Sequence, residues 1–140
     1  MTRINVIHPS YLTDQHLIAE YRELPRVFAL ARPITPEPTE YTLGPGHVRF
    51  FYTRTRYLAR RQAELIYECL LRGFNIQHTT APDPVPGCDG DWTPTVEAAR
   101  INIARLDDKV KQRPAWYTWR GKIVPDNWYT YINPSSYLEH

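Results

Sequence analysis

Thr13-Asp14-Gln15-His16-Leu17-Ile18-Ala19-Glu20-Tyr21-Arg22-Glu23-Leu24-Pro25-Arg26 is the run from which the rest of the chain can be read. Thr13 or Asp14 can accept a hydrogen bond from the free N–H groups of a first helical turn. Leu17, Tyr21, Leu24 and Phe28 then recur at spacings of three and four, which predicts an amphipathic helix. Its other side carries His16, Glu20 and Glu23 in one row and Arg22 and Arg26 in the next, so that a carboxylate sits among guanidinium groups. Pro25 has no N–H and crowds the carbonyl four residues back, so a kink or break is expected near Leu24.

Beyond this helix, Arg32 to Gly46 holds four prolines and two glycines and reads as a broken loop. His47 follows, and Val48 to Tyr52 reads as a loop or helical turn, since no partner strand is evident. From about Thr55 to Arg72 there is neither Pro nor Gly. Leu58, Leu65, Ile66, Cys69 and Leu70 form the stripe of a second helix, ended by Gly73. Arg54, Arg56, Arg60 and Arg61 crowd its first turns, where positive charge opposes the helix dipole. They suit either a solvated face or phosphate contact. Thr79 to Pro94 is a second Pro- and Gly-rich connection. Thr93 or Thr95 can then cap a third helix carrying Val96, Ala99, Ile103, Leu106 and Val110 on one face. Arg105, Lys109 and Arg113 climb the adjoining face four residues apart, and Pro114 ends the helix. In the tail, Trp116-Tyr117-Thr118-Trp119-Arg120-Gly121-Lys122 interleaves aromatic rings with cations. Taken alone, these rings suit core packing. Beside a basic ridge they suit a stacking platform.

A chain of 140 residues, 42% hydrophobic, is enough for one compact core and too short for two ordinary domains. Three amphipathic helices, Pro-rich connections and no paired strands predict a single all-α domain over residues 1–137, with the N-terminal arm packed among the helices and 123–137 an unassigned extension. Leu138-Glu139-His140 reads as the start of a histidine tag. The net charge is only +2, but fourteen of the seventeen basic residues are Arg, whose planar fork matches phosphate oxygens. Asp83, Asp89 and Asp91 gather in one loop, leaving the helices more basic than the total suggests. Cys69 and Cys88 are too few for a disulfide scaffold and lack companions at zinc-binding spacing; Cys69 is expected to be a buried small hydrophobe. With neither a signal sequence nor an apolar run of membrane-spanning length, a soluble, cytoplasmic protein is expected.

The first residues add chemistry. Removing Met1 before a small residue leaves Thr2 with a free α-amine, whose reference pKa of about 7.7–8.0 lies far below that of lysine. Arg3, and Arg22 or Arg26 if near, would lower it further. Such an amine is a competent nucleophile toward an aldehyde-like sugar carbon. In order along the chain, MTRIN, DQHL, AEYRELPRVF, GPGH, FFY, RQAELIYECLLRGFNI, ARLDDK and QRPAWY closely resemble the pyrimidine-dimer DNA glycosylase of the phage endonuclease V type, from Met1 to about Lys122. The loop before His47 is shorter here, and Thr118, Trp119 and Arg120 stand where the family is rich in Tyr and Lys.

The resemblance implies a DNA glycosylase with abasic-site lyase activity acting on double-stranded DNA that holds pyrimidine dimers or abasic sites. It implies the Thr2 amine as nucleophile, Glu23 as the main acid–base group, and His16, Arg22 and Arg26 close by. Arg3, Arg22, Arg26, Arg105, Lys109 and Arg113 are then expected on phosphates, and Trp116, Tyr117, Trp119 and Lys122 beside the opened strand. No metal or other cofactor is implied, and a monomer is expected. On the residues alone, Glu23 reads as a surface carboxylate paired with Arg22 or Arg26, worth under about 1 kcal/mol. The alternatives are the same chemistry on another lesion, such as an abasic or oxidised pyrimidine site, or a catalytically silent DNA-binding module.

Overall fold

Pro25 sits inside an unbroken helix. In the computed structural model, which describes residues 3–132, the first helix α1 spans Asp14–Ala29. Pro25 cannot donate to the Tyr21 carbonyl four residues back. Gln62 of the second helix supplies the missing donor, its Nε2 lying 3.2 Å from that oxygen. The break expected near Leu24 is therefore absent, because a neighbouring helix satisfies the carbonyl that the proline leaves over. Thr13 is the cap: its hydroxyl accepts from the His16 N–H at 3.1 Å.

Helix α2, Thr55–Leu71, begins without a side-chain cap. Its first N–H groups are met by the acidic loop, Thr55 N–H by the Cys88 carbonyl at 3.0 Å and Arg56 N–H by that of Gly90 at 3.2 Å. The loop runs so close that a Cβ on Gly90 would fall 2.5 Å from the Thr53 carbonyl oxygen, so only glycine fits there. At the other end Gly73 adopts φ +79, its N–H bonding to the Leu70 carbonyl and that of Phe74 to the Cys69 carbonyl. That paired closure is the Schellman stop. Helix α3, Val96–Gln112, is capped by Thr95, whose hydroxyl accepts from the Ala98 N–H at 3.0 Å. It ends at Gln112, and Arg113, at φ -144 and ψ 65, has left the helical region ahead of Pro114.

The turn reading for Val48 to Tyr52 holds, as a short 3-10 helix over Val48–Phe51. The expectation of no paired strands fails. Thr118–Trp119 (β1) pairs antiparallel with Lys122–Ile123 (β2) in a two-strand hairpin. Its tight turn needs two residues of positive φ, and Arg120 and Gly121 supply them at 54 and 80. The Asp14 carboxylate holds this strained turn to the start of α1. It accepts from Arg120 N–H at 3.1 Å, Gly121 N–H at 2.9 Å and the Thr118 hydroxyl at 2.6 Å, with Arg72 bonded to the same group at 2.9 Å. Burial alone would raise the Asp14 pKa, but the bonds from Thr118, Gly121 and Arg72 outweigh it and hold the carboxyl below its usual range. So short a ribbon has no sequence period to betray it.

The whole is a compact, mostly helical domain. Leu17 and Leu24 of α1, Leu58 and Leu65 of α2 and Leu106 of α3 meet over Phe50 and Phe51, and Cys69 is fully buried among them. Part of the unassigned extension has a place: Val124, Trp128 and Ile132 are buried against this core. Residues 133–137 and the tag-like 138–140 lie outside the described residues, as do Met1 and Thr2.

Candidate active site

The N-terminal arm Ile4–Ile7 runs through the middle of the three helices and is buried throughout. A buried extended segment must find partners for its peptide groups, and each helix contributes one polar side chain to this end. From α3, the Asn102 Oδ1 accepts from Val6 N–H at 2.8 Å and Ile7 N–H at 3.2 Å, while its amide donates to Asn5 Oδ1 at 2.6 Å. From α1, Glu20 Oε1 accepts from the Asn5 amide at 2.8 Å. From α2, Arg61 donates to both Glu20 oxygens, at 2.8 and 3.0 Å, and to the Ile7 carbonyl. Burial by itself would weaken the Arg61 charge; the facing Glu20 carboxylate more than reverses this and raises its pKa. One residue nearer the terminus, Ile4 is held at both peptide groups: its N–H donates to His47 Nε2 at 2.7 Å and its carbonyl accepts from the Tyr41 hydroxyl at 3.0 Å.

The Glu20–Arg61 pair is a structural element with a testable cost. Replacing Arg61 with Met leaves a buried carboxylate unpaired, which is expected to destabilise the fold by about 3–5 kcal/mol. Arg60→Ala, which breaks a half-exposed pair with Asp91, is expected to cost under about 1 kcal/mol. Urea unfolding of the two variants side by side checks the difference.

Around the mouth of the arm lie several of the residues singled out from the sequence. His16 stacks on Tyr117, with centroids 4.7 Å apart, and is hydrogen-bonded to the Thr13 hydroxyl at 2.7 Å. Burial, then the charges of Arg105 and Lys109, lower its pKa to about 4, so its ring is neutral near pH 7. Arg105 is half-buried beside Arg3; burial first and then that like charge push its guanidinium below its usual range. Glu23 is half-buried one turn beyond Glu20 on the same stripe of α1. It forms no ion pair with Arg22 or Arg26, nor with any other of the described residues. Arg22 is exposed on a different side of α1, where it borders a cleft formed with residues 73–78. Arg26 is exposed too. The structure thus gathers Arg3, His16, Arg105, Lys109 and Tyr117 into one neighbourhood, while Arg22 looks elsewhere.

The arginines divide into two populations. Those crowding the start of α2 are internally committed: Arg56 to Asp89, Arg60 to Asp91, Arg61 to Glu20, and Arg54 to backbone carbonyls with its guanidinium over Phe50. The acidic loop thus neutralises the cluster in which phosphate contact was one of the two readings. Arg22, Arg26, Arg105, Lys109, Arg113 and Lys122, by contrast, have no carboxylate within ion-pairing distance among the described residues. The aromatic tail divides as well. Trp116 is 56% exposed beneath the Arg113 guanidinium, which lies 4.7 Å from its ring centroid. Trp119 is half-buried, its indole N–H donated to the Ser10 carbonyl at 2.9 Å. Trp116 is the better placed of the two to meet an external ring.

A family model described as pyrimidine dimer DNA glycosylase matches residues 1–81. The chain belongs to that family. The matched segment takes in the arm, α1 and α2, with Glu20, Glu23, His47 and Arg61, whereas α3 and the hairpin lie beyond it. This glycosylase therefore acts in DNA repair on pyrimidine dimers. No helix among the described residues is long and apolar enough to cross a membrane, and no cluster of His, Cys, Asp and Glu among them could hold a metal ion. Reading the sequence passed over five residues that organise the site: Glu20 as a clamp, Arg61, Asn102, Tyr41 and His47. Three of them carried a usable signal. Arg61 falls between Leu58 and Leu65, Asn102 between Ala99 and Leu106, and Glu20 between Leu17 and Leu24, each at the spacing of the buried stripe. A polar side chain at a core position must be bonded to something.

Proposed function

We propose that this glycosylase cleaves the 5′ glycosidic bond of a cyclobutane pyrimidine dimer and then nicks the strand, with the α-amine of Thr2 as nucleophile. The amine attacks C1′ as the bond to the base breaks and the base takes one proton; the sugar ring then opens at C1′–O4′, that oxygen takes the second proton, and an imine joins protein to sugar. Glu23 assists departure of the base and then takes the C2′ proton, so that β-elimination expels the 3′ phosphate. Neutral His16 lines the approach, and Arg3 and Arg105 balance the phosphate charge. Arg22, Arg26, Lys109, Arg113 and Lys122 hold the backbone further out, with Trp116 and Tyr117 against the opened strand. Trp119 supports that surface from within. We read residues 1–137 as one such domain, working as a monomer in the cytoplasm.

One observation carries this reading: the arm is fixed at Ile4, two residues from Thr2, by His47 and Tyr41 and at Asn5 to Ile7 by a polar clamp from three helices, with Arg3, Arg105 and His16 gathered nearby. Borohydride, which reduces an imine to a stable amine, tests it. Covalent protein–DNA complexes are expected on both dimer-containing and abasic duplexes. Their absence from an actively cleaving preparation would remove the imine from the mechanism.

The division of the arginines gives a second test. Binding to DNA should weaken linearly in log salt, and Arg113→Ala or Lys109→Ala should each lower the slope by about 0.9. Arg56→Ala, which removes a residue already paired with Asp89, should leave it unchanged. Fluorescence anisotropy at four or five salt concentrations distinguishes the two classes.

A further inference from the structure

His47 belongs to a local device that the chemistry just described does not use. It follows Gly44-Pro45-Gly46, with Gly46 at φ +86 and the His47 N–H on the Gly44 carbonyl at 3.1 Å. This turn drives a polar ring into the core, where only 3% of it is exposed. The ring is held edge-on by Tyr41 and Phe51, at centroid distances of 5.3 and 5.8 Å.

Its two nitrogens have fixed and opposite duties. Nδ1 lies 2.6 Å from the Thr42 carbonyl oxygen, which can only accept, so the ring proton is on Nδ1. Nε2 lies 2.7 Å from the Ile4 N–H, which can only donate, so Nε2 is the acceptor. The imidazole is thus locked neutral in one tautomer. Burial is the main reason its pKa falls to about 4, with the charges of Arg3 and Arg105 acting in the same direction.

We propose that His47 is a positioning residue for the N-terminal amine: its Nε2 anchors the Ile4 peptide and so fixes where the two residues before Ile4 can reach. This rests on the Thr2 reading given above. Two residues span at most about 7 Å, so a secured Ile4 peptide confines the amine to a small volume, whereas a released one lets it wander over several ångströms. Attack requires reacting atoms about 3–3.5 Å apart, and a displacement of about 1 Å can cost a hundredfold.

The test compares His47→Phe, which keeps the packed ring and removes the acceptor, with His47→Gln, whose amide oxygen can reach the Nε2 position. On abasic duplex DNA, His47→Phe is expected to slow single-turnover borohydride trapping by about a hundredfold. Its dissociation constant for the same DNA should stay within about twofold of wild type, because no group facing the nucleic acid changes. Hydrogen exchange at the Ile4 amide should become fast in His47→Phe and stay slow in His47→Gln, and the Gln variant should recover most of the trapping rate. Should the Phe variant fail to fold, His47→Gln and His47→Met are nearly isosteric, differ chiefly in the acceptor, and carry the same comparison. Wild-type trapping without the acceptor, a protected Ile4 amide in its absence, or equal losses with and without it each overturn the proposal. Failure of wild type itself to trap is a different result, and sinks the Thr2 reading rather than the role of His47.

Discussion

Protein whose α-amine has been acetylated is expected to bind damaged DNA normally and to form no borohydride-trapped complex, and protein that retains Met1 is expected to bind normally and trap far more slowly. Acetylation removes the lone pair on which imine formation depends. Retaining Met1 does something subtler: it leaves a free amine, but moves it one residue along the chain, about 3.8 Å between Cα atoms. With the Ile4 peptide held by His47 and Tyr41, the arm cannot slide back to compensate. A loss of about a hundredfold or more in trapping rate is expected for homogeneous Met1-retaining protein. Mass spectrometry of the terminus alongside single-turnover kinetics decides the matter. Full lyase activity in that preparation would show that the nucleophile is some other group.

Glu23→Gln is expected to produce a protein that binds dimer-containing DNA and leaves the strand intact. The amide keeps the shape of the side chain and cannot take a proton from C2′, and acid–base groups typically contribute about 10²–10⁴-fold. The substitution is mild for the fold, since Glu23 is half-buried and makes no ion pair with another described residue. Glu20→Gln is the instructive companion. Glu20 lies one turn away on the same stripe, but it is buried and bonded to Asn5 and Arg61, so its replacement should lower the unfolding free energy and affect chemistry chiefly through the arm. A Glu23→Gln enzyme with wild-type turnover would assign the proton transfer elsewhere.

How much of this was legible beforehand follows from which forces are periodic. The three helices were, because apolar side chains at three- and four-residue spacing leave a pattern that survives in one dimension. Thr13, Thr95 and Gly73 were also legible as punctuation, since capping chemistry is local. What escaped was every decision made between distant segments. Pro25 looks like a helix breaker until Gln62 answers the orphaned Tyr21 carbonyl. The arginines at the start of α2 suit a solvated face or phosphate contact equally until the loop carrying Asp89 and Asp91 folds over them. The Asp14 carboxylate reads as a helix cap and instead holds a hairpin turn more than one hundred residues away. At the site, the family resemblance supplied the expected nucleophile and acid–base group, while the side chains that hold the Ile4–Ile7 arm were visible only in three dimensions.

The partners of the arm are scattered along the chain: Glu20 is 15 positions from Asn5, Arg61 is 54 from Ile7, and Asn102 is 96 from Val6. No early cluster of neighbouring segments can complete that set, because its longest closures depend on α3 docking against the rest. During synthesis or refolding, the Ile4–Ile7 arm is therefore fully seated only once α3 has docked. With the Thr2 amine as the nucleophile proposed above, a half-assembled molecule has a terminus no more dangerous than that of any other polypeptide. On that proposal, competence to cut DNA follows the seating of the arm, and a copy truncated before α3 is expected to fall silent instead of nicking at random.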